Sequence, residues 1–136
     1  MGRKLSGDAH PIVDPSQKRR NALADAFDVE IPQINAVYTH MLGHDCHSNV
    51  AGAAHADAIL AQLGGYRRAG VDLVLTSHYT PEDLKDVDAK AAYLRALKEL
   101  AAGCADAASF KAAVETRYPD YSGENYLDMT AGFFFG

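Results

Sequence analysis

The sequence predicts an α/β domain in which a βαβ unit is followed by C-terminal helices. Three observations predict it. Two short runs rich in β-branched and aromatic residues lie at 34–38 (INAVY) and 71–76 (VDLVLT). The stretch between them carries apolar residues at helical spacing, and so do the residues after the second run. A strand, a helical crossover and a second strand place the strands parallel, with a right-handed connection.

Residues 1–30 read as an irregular, basic segment, with a short helix over 16–27 that puts Leu23, Ala26 and Phe27 on one face. Pro32 breaks the chain before the first strand. A polar, His-rich loop covers 40–49. The crossover helix is expected over 53–68, with Ile59, Leu60, Leu63 and Tyr66 on one side. Gly64-Gly65 weakens it by about 1 kcal/mol per glycine relative to Ala, so a kink or an early end is expected there. A long helix is expected over 81–102, with Thr80 as N-cap, Pro81 in the first turn and Gly103 as its stop. Its apolar stripe is Leu84, Val87, Ala91, Leu94, Leu97 and Ala101. Asp106 caps a further helix that runs to Tyr118 and ends at Pro119, with Phe110, Ala113 and Val114 inward. Residues 120–136 show no reliable period. Phe133-Phe134-Phe135 is too short for a membrane and is expected to dock on the core.

Composition narrows the function classes. The 136 residues include 24 alanines, while Leu, Ile, Val and Phe number 29, so a core is available but poor in bulky side chains. The net charge of −5 argues against a nucleic-acid binder, which would carry a basic face. No apolar run is long enough to span a membrane, and Arg3-Lys4 is followed by no apolar signal-peptide region. The chain as written is therefore expected in the cytoplasm. Two cysteines, Cys46 and Cys104, are too few for a disulfide scaffold and are read as free thiols. Neither a Gly-rich phosphate loop nor Gly-x-Ser-x-Gly occurs.

In a parallel sheet, ligands bind beyond the carboxyl ends of the strands. The loop after the first strand carries His40, His44, Asp45, Cys46 and His47; the loop after the second carries Ser77, His78, Tyr79 and Thr80. Imidazole nitrogen and carboxylate oxygen are natural zinc ligands, and a carboxylate has two oxygens with which to bridge two ions. Residues 80–83 read as helix-start residues without chemistry, and His55, on the crossover helix, as structural. A rival route pairs Cys46 as thiolate with His47 or His78, although no helix N-terminus directly follows Cys46.

Residues 34–52 (INAVYTHMLGHDCHSNVAG), followed by AHADAILAQL and VDLVLTSHYTPED, resemble the C-terminal part of a metallo-β-lactamase-fold hydrolase. The ending YSGENYLDMTAGFFF resembles the close of a bacterial subgroup of that superfamily. The resemblance implies that residues 31–136 form about one half of an αββα sandwich. It implies that Asp45 is the metal-bridging Asp and His78 the last His ligand, with zinc as the metal. His44 and His47 are then candidates to orient water or substrate, or to support Asp45. The superfamily's His-x-His-x-Asp-His motif does not occur in the chain, and His10 or His40 is open as a further ligand.

The function expected on this basis is part of a zinc-dependent hydrolase, not catalytically complete by itself, acting on a small molecule of undefined class. The alternative is a non-catalytic remnant or partner-binding α/β module. Half a sandwich leaves one sheet face bare, so the expected partners are a second copy of the chain or a complementing N-terminal half.

Overall fold

The computed structural model describes residues 28–136. The helix expected over 16–27 lies outside them. The described chain is α/β, with four helices and one small mixed sheet. Strand β1 is Val29–Ile31, β2 is Ala36–Tyr38 and β3 is Leu73–Leu75, in the spatial order β1-β2-β3. Strands β2 and β3 pair in parallel, with Val37 opposite Val74, as the βαβ reading requires. Strand β1, which the sequence does not announce, pairs antiparallel with β2. A single 3-10 turn, Pro32–Ile34, joins them and ends on Asn35 at φ 50°. Asparagine tolerates that left-handed conformation better than most residues. Asn35 also ties the starts of β2 and β3 together, through its Nδ2 to Gly70 O at 2.9 Å and its O from Asp72 N at 2.8 Å.

Helix α1, Ala53–Ala69, continues through Gly64-Gly65 and stops at Gly70, φ 65°. The helix does not end at the glycines, because burial of Leu63 and Tyr66 on either side of the pair outweighs the weak glycine propensity. Helix α2, Leu84–Gly103, starts three residues later than expected. Its N-cap is Asp83, whose carboxylate accepts from Lys85 N and Asp86 N, while Asp83 N donates back to Asp86 Oδ2. Residues 81–82 cannot join the helix, because Glu82 pairs its backbone with Val74 in an antiparallel bridge (2.8 and 2.9 Å) that covers the free edge of β3.

Helix α3, Ala107–Arg117, is capped by Asp106 as expected. Helix α4, Glu124–Phe135, occupies the tail for which the sequence offered no period. Its inward residues are Leu127, Thr130 and Ala131, with Phe134 half-buried one turn on. The core lies among the helices and against the sheet. Val74, Leu94, Leu97, Phe110, Val114 and Leu127 are all fully buried. Phe134 and Phe135 stack beside Phe110, each 5.5 Å between ring centroids, whereas Phe133 is 57% exposed. Both cysteines are free. No described helix is long and apolar enough to cross a membrane.

Thr130 fastens α4 to the loop after β2. Its Oγ1 accepts from Val50 N at 2.8 Å and donates to Ser48 O at 2.6 Å, in full burial. Thr130→Val keeps the shape but strands one backbone donor and one acceptor. It should lower unfolding free energy by about 2 kcal/mol. Urea denaturation with an unchanged midpoint would contradict that role.

Candidate functional site at the meeting of two strand-end loops

The loops 39–52 and 76–83 leave the carboxyl ends of the parallel neighbours β2 and β3, and the parallel ladder carries on into them. Thr39 N donates to Leu75 O at 3.0 Å, and Ser77 N to His40 O at 3.1 Å. Tyr38 and Ser77 join through their hydroxyls. His40 and His78 therefore stand side by side, their rings edge-to-face at 4.9 Å. Both are exposed, and neither imidazole has a hydrogen bond to a described residue.

Asp45 lies further along the same loop and is also exposed. The hydroxyl of Tyr79, the residue after His78, donates to Asp45 Oδ1 at 2.6 Å. Burial and this carboxylate both push the Tyr79 hydroxyl well above its ordinary range, so it stays a donor. The backbone of Asp45 is held from the other side, its O accepting from Ser122 N at 3.3 Å while His47 N donates to Ser122 O at 2.8 Å. The two residues that the resemblance makes metal ligands thus sit on two loops that several hydrogen bonds join, Tyr79 to Asp45 and Ser77 to His40 among them.

His44 and His47 diverge. His44 turns to Glu82, with its Nδ1 2.6 Å from Glu82 Oε2 and 3.5 Å from Asp86 Oδ1. The Glu82 hydrogen bond raises the His44 pKa above 6.5 against a smaller opposing effect of burial, with Asp86 and Asp45 adding to the rise. His44 supports the loop through Glu82 rather than through Asp45. His47 is only 2% exposed and belongs to the core. Its Nδ1 bonds Tyr93 Oη at 2.9 Å, and its ring packs on Tyr93 and Tyr121. Burial, then the charge of Lys90, lowers its pKa below 6.5. The thiol route loses its geometry, since buried Cys46 gives its S–H to the backbone O of His47 at 3.3 Å. Gly123 closes over that sulfur. At its φ of 82° a Cβ would come to 2.8 Å from Sγ.

Two residues that the sequence reading passed over are central here. Glu82, read as a helix-start residue, is 2% exposed. It accepts from Gly43 N at 3.3 Å and His44 N at 3.0 Å, besides the His44 ring. Asp86 completes the cluster. Ligand atoms of His44, Glu82 and Asp86 lie within 4.8 Å of one another, close enough to hold a cation. Glu82 already spends both oxygens on three N–H groups, so the arrangement is explained as an ion pair that buttresses the loop. Only the alternation of Pro81, Glu82 and Asp83 before a helix marks the place in sequence, and it does not reveal a long-range carboxylate.

Comparison with family models, with curated proteins and with solved structures returns no match.

The His44–Glu82 pair makes a signed prediction. The folded pKa of His44 is raised, so its contribution to stability is complete below 6.5 and disappears as pH rises through the raised value. His47 and His55 are lowered by burial, so they favour the fold above 6.5 and withdraw that support as pH falls through their folded values. NMR titration should show His44 above 6.5, with Glu82→Gln bringing it down, and His47 and His55 below 6.5. A His44 pKa indifferent to Glu82→Gln would contradict the pairing.

Proposed function

We propose that this chain forms one wall of a zinc-dependent hydrolase site of the metallo-β-lactamase kind, with Asp45 and His78 as metal ligands. The fold behind it is read as the C-terminal half of that αββα sandwich. The observation that carries the reading is the meeting of the loops after β2 and β3, where Tyr79 holds Asp45 and His40 packs on His78. The donors suit zinc: an exposed carboxylate at Asp45 and an exposed imidazole at His78 that has no competing hydrogen bond among the described residues. Bound zinc supplies an acidified water and polarises the bond to be cleaved.

The chain's own residues do the positioning. Tyr79 orients the Asp45 carboxylate and leaves its second oxygen available. The His40 ring limits rotation of His78. The hydrogen bond to Glu82 orients the His44 ring and raises its pKa. The remaining ligands come from residues outside this set, in a second copy or a complementing N-terminal half.

A second reading, a partner-binding α/β module without catalysis, is favoured by Met129 and Phe133. They lie one turn apart on α4 and are 43% and 57% exposed. Calorimetric titration of metal-free protein with zinc separates the two. The hydrolase reading expects about one zinc ion per chain, with affinity lost by at least tenfold in Asp45→Asn/His78→Ala. Zinc uptake indifferent to that double variant would reject these ligands and leave the module.

A further inference from the structure

Beneath the loop after β2 lies a cavity of about 490 Å3, bounded by α1, α2 and two residues of α4, Tyr126 and Phe133. That volume suits a small organic ligand. Its wall contains neither Asp45 nor His78; His40 is the residue it shares with the proposed metal edge.

Two features of the wall call for negative charge. Lys90 projects from the middle of α2 and is 2% exposed. Its Nζ donates to Cys46 O at 2.8 Å and to Ser48 Oγ at 2.7 Å, and it sits 4.7 Å from the centre of the Tyr93 ring. All three partners are neutral. Among the described residues no carboxylate forms an ion pair with it. Burial lowers its pKa to about 8, and an anion beside it would favour the charged form. Glu82 and Asp45 act on Lys90 only from beyond contact, and a buried charge with no counter-charge in contact is unfavourable unless something compensates it.

The second feature is His55 on α1, 8% exposed. Its Nδ1 accepts from Ala51 N at 2.9 Å, which puts the ring proton on Nε2. That Nε2–H is buried and has no partner. Buried donors are nearly always satisfied, so an unsatisfied one beside a cavity marks a place for an acceptor. The rest of the wall is mixed: Leu42, Ile59, Leu63 and Phe133 give it an apolar side, and Thr39, Asn49 and Gln62 add polar groups.

We propose that this cavity binds a small monocarboxylate with an unbranched apolar tail, its carboxylate balancing Lys90 and its tail lying against Leu42, Ile59, Leu63 and Phe133. One buried ammonium matches one negative charge. A dianion such as inorganic phosphate would bury an unbalanced charge, and a cation would meet Lys90 directly. His55, a lining residue whose buried Nε2–H has no partner, is the further donor at this wall.

The test uses the full chain, free of metal, and calorimetric or NMR titration with butyrate, hexanoate and octanoate. Octan-1-ol and octylammonium serve as probes of the same length and different charge. Affinity should rise roughly fourfold per added methylene as the tail is buried. Octanoate should bind at least tenfold more tightly than octan-1-ol, and octylammonium should not bind. Lys90→Met should erase the preference for octanoate over octan-1-ol while the alcohol still binds. The wild-type comparison decides the matter even if that variant does not fold. Equal binding of octanoate and octan-1-ol, or no saturable binding of octanoate, would overturn the proposal.

Discussion

The buried carboxylate of Glu82 is the group on which the loop edge depends. A carboxylate with 2% exposure must have its charge answered by donors, because an unpaired buried charge is among the most costly defects a fold can hold. Here the answer is the amides of Gly43 and His44 and the His44 ring. Those donors converge only if the loop turns at Gly43, whose φ of 62° suits glycine. The backbone of Glu82 is meanwhile locked to Val74 on β3. One residue therefore fixes the shape of the first loop, the free edge of the sheet and the starting point of α2.

The same logic extends beneath the loop. A loop this buried must have its backbone groups satisfied, and the helices supply partners. Lys90 on α2 takes Cys46 O, Thr130 on α4 takes Ser48 O and Val50 N, and Ser122 just before α4 pairs with Asp45 and His47. Tyr93 anchors His47 from below. The result is a polar layer between helices and loop that holds Asp45 on a rigid base while leaving its carboxylate exposed. Precision of that kind in the supporting shell is what a ligand-binding edge needs.

The parallel pairing of β2 and β3, the crossover helix and the capped helix at Asp106 were legible because periodicity and local caps encode them. Strand β1 was not, since three residues carry no period. Helix α4 was hidden by Thr130, a polar residue on an inward face, whose reason lies in two backbone partners about eighty positions earlier in the chain. The two loops were legible as the place for chemistry, because strand ends are where such residues collect. Their inner division was not. His44 and His47 look alike in sequence, yet one is bound to Glu82 and the other sits in the aromatic core, and both fates are set by residues roughly forty or more positions away. Lys90 lies outside the apolar stripe read from the sequence, and only the fold shows its burial. The family resemblance rests on the order and spacing of the two loops and remains a proposal.

The central proposal is that Asp45 and His78 hold a metal, with His40 positioning His78, while His44, His47 and His55 serve structure. Long-range proton–nitrogen NMR spectra of the histidine rings, recorded as zinc is added to metal-free protein, test it most directly. The account predicts that ring nitrogens of His78 and His40 shift, while those of His47 and His55 stay in place. A response confined to His44, or no response from any ring, would contradict it.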